Sequence, residues 1–132
     1  MTTAYITHPD CLRHDMGSDH PESPARLRAI EDQLIASGLF QFLQHHEAPL
    51  ATPEQLVRVH SPHYIETIRA AAPKQGMVHL DPDTAMNPFT LDAALRAAGA
   101  AVLATDLVMA GRAENAFCAI RPPGHHAERE RA

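Results

Sequence analysis

The stretch LDAALRAAGAAVLATDLVMAG, residues 91–111, restricts the possible folds of this chain more than any other segment. Its apolar residues recur at helical spacing on most sides, and Gly111 marks its end. A helix that is apolar nearly all round is usually buried between other elements. The run NAFCAI, which follows, has the composition of a buried strand. A long buried helix that leads into a buried strand indicates a layered α/β domain.

The rest of the chain supplies a first strand and further helix starts. TAYITH near the N-terminus is β-rich and predicts a strand. A serine or threonine N-cap followed by proline at the first helical position predicts helices at Ser23-Pro24, Thr52-Pro53 and Ser61-Pro62. We expect Thr90 to cap the long helix, and the polar segments 9–22 and 73–88 to form loops. Strands that alternate with helices predict a parallel sheet with helical crossovers, in a single domain.

Composition excludes several classes of function. The chain has 132 residues, which suits one modest domain, and a net charge of −5, which argues against a non-specific nucleic-acid surface. The N-terminus lacks the apolar core of a signal peptide, and no apolar run reaches the ~18 residues of a membrane span. We therefore expect a cytoplasmic protein without nucleic-acid or membrane partners. Ten histidines make metal or acid–base chemistry worth a search.

Two adjacent histidine pairs occur, and their surroundings separate them. His45-His46 lies in a polar stretch and is interpreted as solvated. His125-His126 follows the predicted strand and a rigid Arg-Pro-Pro-Gly turn, and the carboxyl ends of parallel strands are where ligands gather. Histidine can act as both base and acid near neutral pH. The spacing alone leaves both a catalytic role and a structural loop open for this pair, and turn chemistry explains Asp81-Pro82-Asp83 without a function.

Four ordered segments resemble one family. RPPGHHA, residues 121–127, closely resembles the tandem-histidine motif of the zinc-dependent histone deacetylase and acetylpolyamine amidohydrolase superfamily. Three more segments are similar to signatures of that family and lie in the same order along the chain: HPESPARL at 20–27, VHSPHYIETI at 59–68 and DPDTAMNPFTLDAALRAAGAAV at 81–102. The resemblance implies an arginase/deacetylase-like fold, with a parallel sheet flanked by helices.

The resemblance also implies roles for individual residues. His126 matches the general base that takes a proton from zinc-bound water, and His125 matches the partner that positions and polarises the site. Asp83 resembles the rim aspartate that holds the substrate. Arg26 resembles a buried arginine near an internal channel behind the site. The implied substrates are acetyl-lysine or acetylated amines, and the implied cofactor is Zn²⁺.

The family's zinc ligands include an aspartate and a histidine two residues apart, and no Asp-x-His occurs in this chain. We therefore assign no metal ligand and expect residues 1–132 to be the N-terminal portion of one incomplete deacetylase domain, inactive alone. An exposed sheet edge is expected to favour self-association. Two other interpretations stay open: a non-catalytic α/β binding module that retains the family scaffold, and an unrelated domain with a fortuitous histidine pair.

Overall fold

The computed structural model describes residues 2–132. Residues 2–132 form five strands and four α-helices, with 3-10 turns at Pro9–Leu12 and Phe40–Phe42. The strands are β1 (Thr3–Thr7), β2 (Gln44–Glu47), β3 (Val78–Asp81), β4 (Thr84–Met86) and β5 (Asn115–Cys118), and the helices are α1 (Ala25–Ala36), α2 (Pro53–Leu56), α3 (Pro62–Ala71) and α4 (Thr90–Met109).

A parallel three-stranded sheet forms the centre of the fold, in the order β2-β1-β5. Strand β1 is the middle strand, and its residues Ala4, Tyr5 and Ile6 are buried. Helix α4 packs against β1 and β5, where Ala100 and Leu107 join the same apolar cluster as Ile6. The predicted class, a parallel sheet flanked by helices, is confirmed.

The prediction that NAFCAI forms a fully buried strand is wrong in part. Strand β5 covers only Asn115–Cys118, and the side chain of Phe117 is 47% exposed. Within residues 2–132, β5 pairs only with β1, so one of its edges has no neighbouring strand. The self-association expected from such an edge stays a prediction.

Two segments that were not predicted as strands also pair in sheets. The predicted loop 73–88 contains the antiparallel hairpin of β3 and β4, with the aspartates of Asp81-Pro82-Asp83 at its turn. The sequence QHHE forms β2, where His46 is half-buried and His45 is exposed, with its Nε2 2.8 Å from the carbonyl oxygen of Phe40. The interpretation of this histidine pair as solvated therefore holds for His45 alone.

The predicted helix starts are correct at two of four positions. Thr52 forms the expected capping box with Gln55, and the Ser61 hydroxyl accepts a hydrogen bond from the Tyr64 amide. Helix α1 begins at Ala25, and Pro24 rather than Ser23 holds the cap position, without a side-chain cap. Thr90 is the first residue of α4 rather than its cap, which is Phe89 without a side-chain hydrogen bond. No helix within residues 2–132 is long and apolar enough to cross a membrane.

Candidate functional site

An open cavity of about 850 Å³ lies between α3, α4, the β3–β4 hairpin and the loop that follows β5. Side chains of α3 and α4 make much of its wall apolar, and most of the polar groups come from loops. His125, His126 and Asp83 all line this cavity, although they are far apart in the sequence. The apolar residues that α3 and α4 contribute to the wall are Tyr64, Ile65, Ile68, Leu91, Ala94, Leu95, Ala97 and Ala98.

The tandem histidines lie at the cavity wall with both rings accessible. His125 and His126 are exposed, and their ring centroids are 4.2 Å apart with the planes tilted by 58°. The loop starts at Arg121, which is buried and followed by a cis peptide bond to Pro122. A purely structural histidine would be expected in apolar packing or in a saturated hydrogen-bond network, and neither surrounds His126. Its imidazole is accessible to a molecule in the cavity.

Asp83 occupies the turn of the hairpin, at the mouth of the cavity. Its side chain is 89% exposed, and one carboxylate oxygen lies 3.0 Å from His20 Nε2. The Asp83 amide donates to the carboxylate of Asp81 over 2.8 Å. This bond, and then the hydroxyl of Thr84, lower the pKa of Asp81 below its ordinary value. Asp83 thus presents a carboxylate to solvent on a hairpin turn held by its own hydrogen bonds.

The description of Arg26 as a buried arginine is wrong. Its side chain is 50% exposed, and its Nη1 lies 3.4 Å from the carboxylate of Glu22, which precedes α1. The reason is the position of α1, whose only buried residue is Leu27. Whether Arg26 lines a channel stays a prediction.

The buried arginine of this chain is Arg121, which sequence reasoning missed. Its guanidinium is fully buried and makes two hydrogen bonds to the Glu22 carboxylate, of 2.9 and 2.8 Å. It also donates to the carbonyl oxygens of Cys11 and His14. Arg121 and Glu22 lie in two of the segments that resemble the family, and they carry opposite charges. These two features of the sequence could have indicated that the residues pair. Their separation of 99 positions hid the contact.

His14 is a second buried polar residue that sequence reasoning did not select. Its Nδ1 lies 2.7 Å from the Thr90 hydroxyl, which already donates to Asn87, so His14 must be the donor. Its Nε2 has no hydrogen-bond partner within residues 2–132 and lies 3.8 Å from Glu22. Burial, and then the charge of Arg121, lower the pKa of His14 below 6.5. His14 is therefore neutral at pH 7, with the proton on Nδ1.

The lowered pKa of His14 predicts a loss of stability in mild acid. The unfolded chain takes up a proton at this residue near pH 6.5, whereas the folded chain resists it until the pH reaches the lower folded pKa. Between these two values the free energy of unfolding should fall by ~1.4 kcal/mol per pH unit from this residue. Urea unfolding at a series of pH values from 7.5 to about 5 measures the slope.

The variant His14→Asn is the matched control for that slope. The asparagine amide can still donate to Thr90, as His14 Nδ1 does, but it does not titrate. Subtracting its pH profile from that of the wild type removes the contribution of the other nine histidines. Parallel profiles for the two proteins would contradict the assigned role of His14.

The described residues do not by themselves fit the metal that the resemblance implies. Within residues 2–132, no group of three histidine, cysteine, aspartate or glutamate side chains lies close enough to hold a metal ion. His125 and His126 are adjacent, but Asp83 is held by the hairpin and His20 instead of converging on them. These residues by themselves therefore do not form a metal site.

Comparison with known proteins decides the family. The model of the histone deacetylase domain matches residues 20–132. The chain belongs to the histone deacetylase family. The crystal structure of the HDA15 HD domain superposes on the chain with a TM-score of 0.92 and a sequence identity of 30%. The superposition covers 100% of this chain and 38% of the HDA15 chain.

Two curated relatives of the histone deacetylase family show how much of a complete protein the chain spans. It is 42% identical over 107 residues to the histone deacetylase-like amidohydrolase of Pseudomonas aeruginosa, which covers 81% of this chain and 28% of that protein. It is 34% identical over 141 residues to the polyamine deacetylase HDAC10 of Homo sapiens, which covers 100% of this chain and 21% of that protein. The chain thus spans less than a third of either relative.

Proposed function

We propose that this chain forms one wall of the active site of a zinc-dependent deacetylase that hydrolyses acetyl-lysine or an acetylated amine. Family membership supports a deacetylase-type function. The observation that carries the finer proposal is the pair of exposed histidines at a large, mostly apolar cavity with a carboxylate at its mouth. An apolar cavity with a few convergent polar groups suits an uncharged acyl chain with a polar end.

His126 is proposed as the group that moves the proton. Amide hydrolysis by water needs a base to take a proton from the attacking water and an acid to protonate the leaving amine. An imidazole can do both in one cycle because its pKa lies near neutrality. His125, whose ring lies 4.2 Å away from that of His126, is proposed to orient and polarise the same site.

Asp83 is proposed to bind the amine or backbone side of the substrate. Its exposed carboxylate at the cavity mouth can accept hydrogen bonds from N–H groups or pair with a cation. The overall charge of −5 has the sign that attracts a cationic substrate. The relative named as a polyamine deacetylase makes acetylated polyamines one substrate class to assay beside acetyl-lysine peptides.

A fusion protein tests the proposed function. The segment of the Pseudomonas aeruginosa amidohydrolase that follows its matched region would be joined after Ala132, and release of acetate from an acetyl-lysine peptide and from N-acetylputrescine would be measured. We expect turnover that a chelator abolishes and zinc restores, because the added segment is proposed to bring the zinc ligands. The unfused chain is expected to show no turnover with or without zinc.

In that fusion, His126→Ala should lower kcat by about 10²–10⁴-fold, the usual contribution of a positioned acid–base group. The control is His63→Ala, which removes an exposed histidine of α3 that does not line the cavity. Equal activities of the two variants would contradict the role of His126. A folded fusion with no turnover on either substrate would favour the binding-module alternative, and strong turnover of the unfused chain would refute its expected inactivity.

A further inference from the structure

We propose that His20 is a positioning residue that holds the Asp83 carboxylate in one orientation at the cavity mouth, and that the His20-Pro21-Glu22 tripeptide ties this carboxylate to the base of the tandem-histidine loop. That this orientation serves to bind a substrate rests on the proposed function. The two hydrogen bonds of His20 are observed in the structure and do not depend on that function.

The hydrogen bonds of His20 define which of its nitrogens carries the proton. The Glu22 amide donates to His20 Nδ1 over 3.1 Å, so Nδ1 is an acceptor and has no proton. The proton of the neutral ring is therefore on Nε2, which lies 3.0 Å from Asp83 Oδ1 and donates to it. Both ring nitrogens are engaged, and the ring acts as a rigid link between two backbone segments.

Asp83 needs such a link because, within residues 2–132, its carboxylate has no other hydrogen bond. Its carboxylate is 89% exposed, and an exposed aspartate normally exchanges between staggered rotamers. The hairpin bond to Asp81 holds the Asp83 amide but not its carboxylate. His20 is only 22% exposed and is fixed at its other nitrogen, so its donor selects one rotamer of Asp83.

The other end of the link is anchored in the protein interior. The Glu22 carboxylate is held by the two hydrogen bonds from the buried Arg121, the residue directly before Pro122. Pro21 restricts the backbone between His20 and Glu22 to a narrow range of φ. The cavity mouth and the loop of His125 and His126 therefore share one polar connection, which sets the position of Asp83 relative to that loop.

Side-chain NMR of the full 132-residue chain tests the link without any need for turnover. Three-bond couplings report the χ1 rotamers of Asp83, and two-bond ¹H–¹⁵N spectra report the tautomer of His20. In the wild type we expect one dominant Asp83 rotamer and the Nε2–H tautomer. In His20→Ala the dominant rotamer should give way to averaging over the staggered wells, because Asp83 then loses the donor that selects one of them.

A conservative variant and two controls separate positioning from a general structural effect. His20→Gln places an amide donor near the position of Nε2 and should restore the single Asp83 rotamer, whereas His79→Ala, which removes an exposed histidine of the same hairpin, should leave it unchanged. If His20→Ala does not fold, Asp83→Ala still tests the link: the Glu22 amide should keep the Nε2–H tautomer, but the ¹H resonance of Nε2–H should move upfield and its exchange with water should speed up, because the bond to Asp83 is lost.

Two results would overturn the proposal. One is a single Asp83 rotamer that persists in His20→Ala, and the other is a His20 Nε2–H resonance whose shift and exchange rate do not respond to Asp83→Ala. These outcomes are independent of the deacetylase assay. An inactive fusion with an intact link refutes the proposed function alone, and an active fusion with a mobile Asp83 refutes the positioning role alone.

Discussion

Replacing Arg121 by methionine is expected to lower the free energy of unfolding by about 3–5 kcal/mol, the usual cost of removing one partner of a buried ion pair. The variant leaves the Glu22 carboxylate, which is only 15% exposed, without its cation. It also removes the donor to the carbonyl oxygens of Cys11 and His14. Because many domains have only about 5–15 kcal/mol of stability, this change should be large in urea unfolding followed by circular dichroism.

Arg26→Met is the matched control for that measurement. It removes the same functional group from the other arginine that contacts Glu22, but at a half-exposed position. A surface pair of this kind contributes about 0–1 kcal/mol, so the urea midpoint should hardly move. Similar midpoints for the two variants would mean that the buried network around Arg121 does not stabilise the fold.

The variant Gly99→Ala should also destabilise the protein, against the usual trend for a helix. Alanine in place of glycine in a helix normally adds about 1 kcal/mol of stability. At Gly99, however, the new Cβ would lie 1.8 Å from the carbonyl oxygen of Pro49 and 3.1 Å from the Ala51 amide nitrogen. Both are backbone atoms, which cannot move aside as a flexible side chain could. We expect a loss of at least about 1–3 kcal/mol, the typical cost of overpacking.

The sign of the change in the free energy of unfolding tests whether Gly99 packs against the backbone of Pro49 and Ala51. Thermal or urea unfolding of Gly99→Ala would be compared with Ala101→Gly, an exposed position of α4 where glycine should cost about 1 kcal/mol through helix propensity alone. A stabilised Gly99→Ala variant would show that the 48–51 segment does not pack against α4 as closely as the structure has it.

Strong local sequence patterns predicted the secondary structure correctly. The Thr52 capping box and the β1 strand follow from short stretches of sequence, and the structure confirms both. Strands β2, β3 and β4 were missed because QHHE has no apolar residue, and VHLD and TAM are too short to stand out in a stretch rich in proline and aspartate. Such strands form because their backbones pair, β2 with β1 and β3 with β4, and no property of the short segment itself reveals that partner.

The residues of the candidate site also fall into two groups, those that motifs predicted and those that only the structure revealed. His125, His126 and Asp83 were selected from motifs, and the structure brings them to one cavity, although their roles stay proposals. Arg121 and His14 were not selected, since a buried charge or an unpartnered ring nitrogen depends on neighbours from distant segments. The choice of Arg26 as the buried arginine failed for that reason, because a motif position does not determine which side of a short helix faces the interior.

The sequence by itself determined the class of the fold, the caps of α2 and α3, the family resemblance and the identity of the tandem histidines. These depend on residue types at short spacing, for which the backbone and side-chain preferences are local. Only the tertiary structure decided which arginine is buried, that His20 bridges Asp83 and the Glu22 amide, and that Gly99 packs against Pro49. Burial and hydrogen-bond partners depend on contacts between segments that are separated by tens of residues. Such contacts form only when the chain folds, so no short stretch of sequence reveals them.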